Sequence, residues 1–148
     1  MMRSFILGAV SAVALAGAAL AQAGQFGTAA EARAMLDKAA AAVRANKAQA
    51  LQQFTKGEAG FKDRDLYPFC GGPDGMFTAH PTLVGQSLRD LKDKDGNAFG
   101  ADIYSRAQEG QVAEVPYKWN RPGSTDLVQK VSYVTKIGDQ VCAVGYYQ

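Results

Sequence analysis

The side chains best suited to chemistry are His80, Arg106, Tyr117, Trp119, Lys130 and Tyr133. His80 is the single histidine of the chain. It could titrate near pH ~6.5 and bond a ligand carboxylate or orient a loop. It could equally cap backbone carbonyls, as a His before a Pro at a strand end does, and both roles stay open. Tyr117 and Trp119 stand two apart, so on a strand they share one face. Such an aromatic pair with polar tips can wall a small-molecule pocket or fill a core under a helix. Lys130 lies among apolar and small residues, either as a solvent-face lysine or as a cation for an acidic ligand. Arg106 is a second candidate cation. Tyr133 points away from Lys130 unless a bulge intervenes.

These residues do not assemble into a catalytic set. There is no Gly-x-Ser-x-Gly elbow to present a nucleophile to His80, so a Ser-His-Asp triad is not supported and no enzyme is expected. Asp90, Asp93, Asp95 and Asn97 suggest calcium, but the spacing fails. An EF-hand frame would open on Leu91 and put Asp102 where the bidentate Glu belongs. A solvated turn with a helix cap explains them better. One histidine and two cysteines give no transition-metal set, and no cofactor is implied.

The N-terminus indicates the compartment. Arg3 precedes an apolar run from Phe5 to Leu20, and small residues follow at Ala19, Ala21 and Ala23. Basic, apolar, small is the order of a secretory signal, with cleavage expected after Ala21 or Ala23. The apolar run is short for a membrane span, which needs roughly 20 residues. Residues 24–148 then form one domain, periplasmic or secreted, large enough for a single core. The chain carries 16 Lys and Arg against 14 Asp and Glu. That near balance, with no basic stripe among the aromatics, argues against nucleic acid. Cys70 and Cys142 form an even pair without a Cys-x-x-Cys motif. In an oxidising compartment this favours one structural disulfide.

The elements follow from pattern. Thr28-Ala-Ala-Glu31 is a capping box. Ala32, Met35, Leu36, Ala39 and Val43, then Ala50, Leu51 and Phe54, keep helical spacing. The spacing predicts one amphipathic helix over 29–56, stopped by Gly57 and Gly60. Strands are expected at 66–70 and 76–79 around the turn residues 71–75. Pro68 is awkward in the first of these, because it cannot donate to a ladder. A helix is expected over 98–109, capped by Asp95 or Asn97 and ended by Gly110. Strands at 111–119, 127–137 and 140–147 complete the chain, the last two joined by a tight turn at Gly138-Asp139.

Several short motifs fall in order along this frame. They are Ala-Arg-Ala-Met-Leu-Asp-Lys-Ala (32–39), Leu-Gln-Gln-Phe (51–54), Phe61-Lys-Asp-Arg-Asp-Leu-Tyr67 and Ala79-His80-Pro81. Val84-Gly-Gln-Ser-Leu88, Asp93-Lys-Asp-Gly96, Tyr117-Lys-Trp119, Lys130-Val-Ser-Tyr133 and Gly145-Tyr-Tyr147 follow. In this order the chain resembles the single Cache domain, an extracytoplasmic PAS-like sensor. The resemblance implies an α+β fold with a long N-terminal helix on a five-stranded antiparallel-type sheet of order 2-1-5-4-3. That order sets the 66–70 strand beside the 140–147 strand, within reach of a Cys70–Cys142 bridge.

The resemblance also implies a function. Family members hold a small metabolite, often an organic acid, between the sheet and its covering loops and helix, and pass the signal to a membrane-linked transmitter. Here Tyr117, Trp119, Lys130, Tyr133, His80 and Arg106 are the expected ligand contacts. No transmitter domain follows the last strand, so a separate membrane receptor or transmitter is the expected partner. A homodimer through the N-terminal helix is also expected. The rival expectation is a Cache fold with a collapsed pocket, whose surface alone binds another protein.

Overall fold

A computed structural model describes residues 24–148. The expected signal peptide, residues 1–23, lies outside the described residues. Thr28 caps the first helix as its sequence requires. Its hydroxyl accepts from the Glu31 amide at 3.2 Å, and the Glu31 carboxylate accepts from the Thr28 amide at 2.8 Å. Arg64 bridges the same carboxylate at 2.8 Å.

The expected single helix over 29–56 is two helices, α1 (Ala29–Ala45) and α2 (Lys47–Lys56). Asn46 makes the break. Its backbone is extended, and its side chain accepts from the Gln49 amide at 3.2 Å to cap α2. A short amide side chain offers the backbone this alternative to a continuous helix. The break redirects α2 so that Ala50 and Phe54 stay buried, with Phe54 edge-on to Phe61 at 4.6 Å. Gly57 ends α2 in the left-handed region, φ 68°, where only glycine is unstrained.

The strands are β1 (Pro68–Gly71), β2 (Phe77–Ala79), β3 (Ala113–Asn120), β4 (Leu127–Ile137) and β5 (Gln140–Tyr147). They form one antiparallel sheet in the order β2-β1-β5-β4-β3. Pro68 is tolerated because it is the first residue of β1, and the β1–β2 register slips at Cys70 and Gly71. Helices α1 and α2 cover one face. Helix α3 (Phe99–Arg106) and the 80–98 segment cover the other.

Helix α3 is shorter than the expected 98–109. The Gln108 carbonyl is drawn to the Lys136 amide of β4, and the Thr135 hydroxyl also reaches it, so the chain leaves the helix at Ala107. Gly110 stands in a turn rather than at a helix end. Ala98 is the N-cap, without a side-chain bond, so neither Asp95 nor Asn97 caps α3. Asp93 organises that loop instead. Its carboxylate accepts from the Asp95, Asn97 and Lys118 amides and from the Asn97 side chain, and it is buried. Among the described residues no helix is long and apolar enough to cross a membrane.

Cys70 and Cys142 are directly opposed on β1 and β5, with Cα atoms 4.1 Å apart, and they are bonded. The bridge lies on the helix-covered face, fully buried in the core with Leu36, Ala39 and Val144. It closes a loop with a sequence separation of 72 residues. Removing such a bridge from a small domain typically costs about 2–5 kcal/mol. Untreated protein should show no free thiol, and Cys70→Ala/Cys142→Ala should lower the Tm by roughly 6–20 degrees. Two titratable thiols in the unreduced protein would exclude the bridge.

Candidate functional site

Strand alternation sorts the candidate residues. On β4, Lys130, Ser132 and Val134 face α3, while Val131, Tyr133, Thr135 and Ile137 face the other way. Tyr133 therefore packs on the α1 side, its ring 5.8 Å from Tyr146, and is not with Lys130. No bulge reverses it, because the β3–β4 and β4–β5 registers run without a slip. Arg106 is also elsewhere. It is exposed, and its guanidinium donates to the Glu114 carbonyl at 2.9 Å, fastening α3 to the edge strand β3.

The remaining four converge. Tyr117, Trp119, Lys130 and His80 line one cavity with Tyr67 and Phe69 of the β1 segment. Helix α3 supplies the opposite wall. Phe99 stacks on Tyr117 at 4.0 Å, nearly parallel, and meets the Trp119 edge at 5.6 Å. Trp119 is half-buried and stands at the mouth. Tyr67, His80 and Trp119 also line an outer cleft of about 430 Å³, together with Lys62, Pro81 and Pro122. The inner cavity is about 10 Å³, the space of roughly one water.

Lys130 is the centre of this site, and it is 1% exposed. Its ammonium donates to the Tyr67 hydroxyl at 3.2 Å. It lies 4.6 Å from the Tyr67 ring centroid and 4.9 Å from that of Tyr147, with Phe69 and Tyr117 within 6 Å. Among the described residues it makes no ion pair. The two buried carboxylates are committed elsewhere, Asp93 to its loop and Asp65 to the Gly27 amide and Arg121. Burial opposes the charge on Lys130, while the oxygens of Tyr117, Tyr67 and Tyr147 and the Tyr67 hydrogen bond favour it, and the net direction is upward. Burial raises the Tyr117 phenol, which stays protonated and shares a 2.8 Å hydrogen bond with Ser132.

His80 holds a loop rather than a carbonyl. Its Nδ1 accepts from the Thr82 amide at 3.0 Å and the Leu83 amide at 3.1 Å. That fixes the neutral tautomer with its proton on Nε2, which has no partner among the described residues. The ring is packed among Tyr67, Phe69 and Phe77. The site thus offers a buried ammonium, an imidazole N–H and phenol hydroxyls, a set that suits a small anion. It presents no nucleophile paired with a base. Among the described residues no cluster of three or more His, Cys, Asp or Glu is placed to hold a metal.

Tyr67, Phe69 and Tyr147 were not among the expected contacts. Tyr67 and Phe69 alternate on a short strand, the same signal that marks Tyr117 and Trp119. Tyr147 is found only through register, as the direct partner of Lys130. Its ring also faces Arg121 at 5.2 Å, and Arg121 lies over Phe26 at 4.0 Å. The segment leading into α1 is thereby one side chain away from the lysine cage.

Burial, then the nearby Lys130 charge, push the His80 imidazole down from 6.5 to about 4. The unfolded chain takes up that proton near pH ~6.5, and the folded state does not. Stability should therefore fall as pH drops from about 6.5 towards 4, by about 1.4 kcal/mol per unit. Glu31, Asp63, Asp93 and Asp139, held low by their hydrogen-bond partners, act in the same direction but only nearer their ordinary values of 4.5 and 3.8. His80→Gln should flatten Tm against pH between about 6.5 and 5. An unchanged slope in the variant would assign the effect to another group.

The family model for single Cache domain 2 matches residues 20–145. A curated relative, the methyl-accepting chemotaxis protein McpP of Pseudomonas putida, is 34% identical over 59 residues. That alignment spans 40% of this chain and 11% of the relative. A methyl-accepting chemotaxis protein from Vibrio parahaemolyticus superposes with a TM-score of 0.65 at 25% identity, over 80% of this chain and 86% of that one. A periplasmic sensor domain of a chemotaxis protein superposes at 0.56 and 25%, over 78% and 87%. A Cache chemosensory domain described by its recognition of carboxylic acids shares the fold at 0.54 and 24%, over 78% and 85%. With the sheet order and the family match in agreement, the chain belongs to the single Cache domain 2 family of extracytoplasmic sensor domains, related to the periplasmic domains of chemoreceptors.

Proposed function

We propose that this protein senses a short carboxylate, bound by Lys130 and closed in by Tyr67, Tyr117, Trp119 and His80. The observation that carries this reading is the buried ammonium, which has no counter-ion among the described residues. A charge in that position costs several kcal/mol unless paired, and a ligand carboxylate is the partner the site lacks. The His80 Nε2–H and the phenol hydroxyls supply further donors to an anion. Tyr133 and Arg106 have no part in it.

The cavity of about 10 Å³ gives the second reading its support. A closed site suits a domain that works through its surface alone. A carboxylate is larger than one water, so binding requires Trp119 and the 80–83 loop to move. The outer cleft beside them gives the ligand a path. Residues 1–23 act as the export signal in this reading, and binding takes place outside the cytoplasm. A shift of Tyr147 on binding would reach Arg121, Phe26 and the start of α1, where a membrane receptor or transmitter protein could detect it.

A thermal-shift screen against formate, acetate, propionate, lactate, amino acids, amines and purines separates the two readings. A carboxylate at 100 times its Kd should add about 2.7 kcal/mol, a rise of several degrees. Lys130→Met should abolish that rise while leaving the Tm of the free protein unchanged or higher, because a well-packed apolar residue replaces a buried charge whose cage leaves little surplus. Trp119→Ala should weaken binding without abolishing it. A flat screen, or a carboxylate response that survives Lys130→Met, refutes the carboxylate reading.

A further inference from the structure

Gly145 lies in the interior of β5, where glycine weakens a strand and needs a reason. Its φ is not positive, so the backbone does not demand it. The reason is space. A Cβ at this position would fall 2.5 Å from Ser132 Oγ and closer still to Lys130 Cε, with Lys130 Cδ at 3.2 Å. Ser132 is the cross-strand partner of Gly145, and Lys130 is the partner of Tyr147. The lysine stem therefore runs diagonally over β5, across the bare backbone of residue 145. It reaches the Tyr67 hydroxyl, which lies one step beyond the Pro68–Val144 pair of the β1–β5 ladder.

We infer that Gly145 is a positioning residue for the ligand-binding cation, an inference that rests on the carboxylate reading above. Any side chain at 145 closes the path across β5. The stem must then rise from the sheet, and the ammonium leaves the rings of Tyr67 and Tyr147 for the inner cavity. That cavity holds about 10 Å³, so the displaced head fills the space a carboxylate needs. Gly145 thus acts through Lys130 and sets how deep the charge lies beneath the ligand. A β-branched or larger residue would move the head further than alanine does.

The test uses Gly145→Ala, Lys130→Ala and the double variant in the full chain. Ring currents from Tyr67 and Tyr147 should shift the Lys130 ε-methylene proton resonance upfield in the natural protein. In Gly145→Ala this signal should move away from its natural position, because the head meets a different set of rings in the inner cavity, and the affinity for acetate or propionate should fall at least tenfold. An unshifted Lys130 signal in Gly145→Ala overturns the inference. The signal is read without ligand, so it decides the position of Lys130 even if the natural protein binds no carboxylate and the sensing proposal fails. If Gly145→Ala does not fold, Lys130→Ala/Gly145→Ala decides. A double variant that folds as well as Lys130→Ala locates the clash at the lysine stem, and one that also fails to fold overturns the inference.

Discussion

One ammonium, buried on a sheet with no opposing carboxylate among the described residues, governs the design of this domain. Removing a charge from water costs several kcal/mol after relaxation. A hydrogen bond to a charged group contributes about 1.5–3 kcal/mol, and each desolvated ring face about 0.5–2. One hydroxyl and four rings around Lys130 are therefore of the size needed to offset the cost. They leave little surplus. The cage makes the charge tolerable and keeps it available, which a built-in carboxylate would not do.

The cage depends on strands brought together from distant parts of the chain. Tyr67 and Phe69 come with β1, Tyr147 with β5, Lys130 with β4 and Tyr117 with β3. The disulfide joins β1 to β5 on the opposite face of the sheet. It ties the same two strands three residues along from Tyr67 and five from Tyr147, while the pocket face remains free of it. Charge burial on one face and covalent closure on the other are thus matched across a single pair of strands.

Much of this frame was legible in the sequence, because local rules decided it. The Thr28 capping box, the turn chemistry of residues 71–75 and the alternation of β3 each act over a few residues. The break at Asn46 was hidden by a helical apolar period that continues on both sides of it. Only the redirection of α2 over the sheet gives the Asn cap its advantage. The site was legible where it depends on one strand, as with Tyr117 and Trp119. It was not where it depends on register. The cross-strand pairing brings Tyr147 to Lys130, and the lack of a bulge in β4 sends Tyr133 to the other face. Arg106 was drawn off by the edge strand it fastens, a tertiary contact with no local signal.

His80 joins the charge to the loop that covers it. A neutral imidazole is the form that accepts from the Thr82 and Leu83 amides, and the Lys130 charge nearby opposes its protonation. The buried cation therefore helps to hold closed the loop over its own pocket. Burial is the larger part of that opposition, so an anion placed beside Lys130 would relieve it only in part, and the ring would stay neutral with its Nδ1 on the two amides and its Nε2–H free to donate.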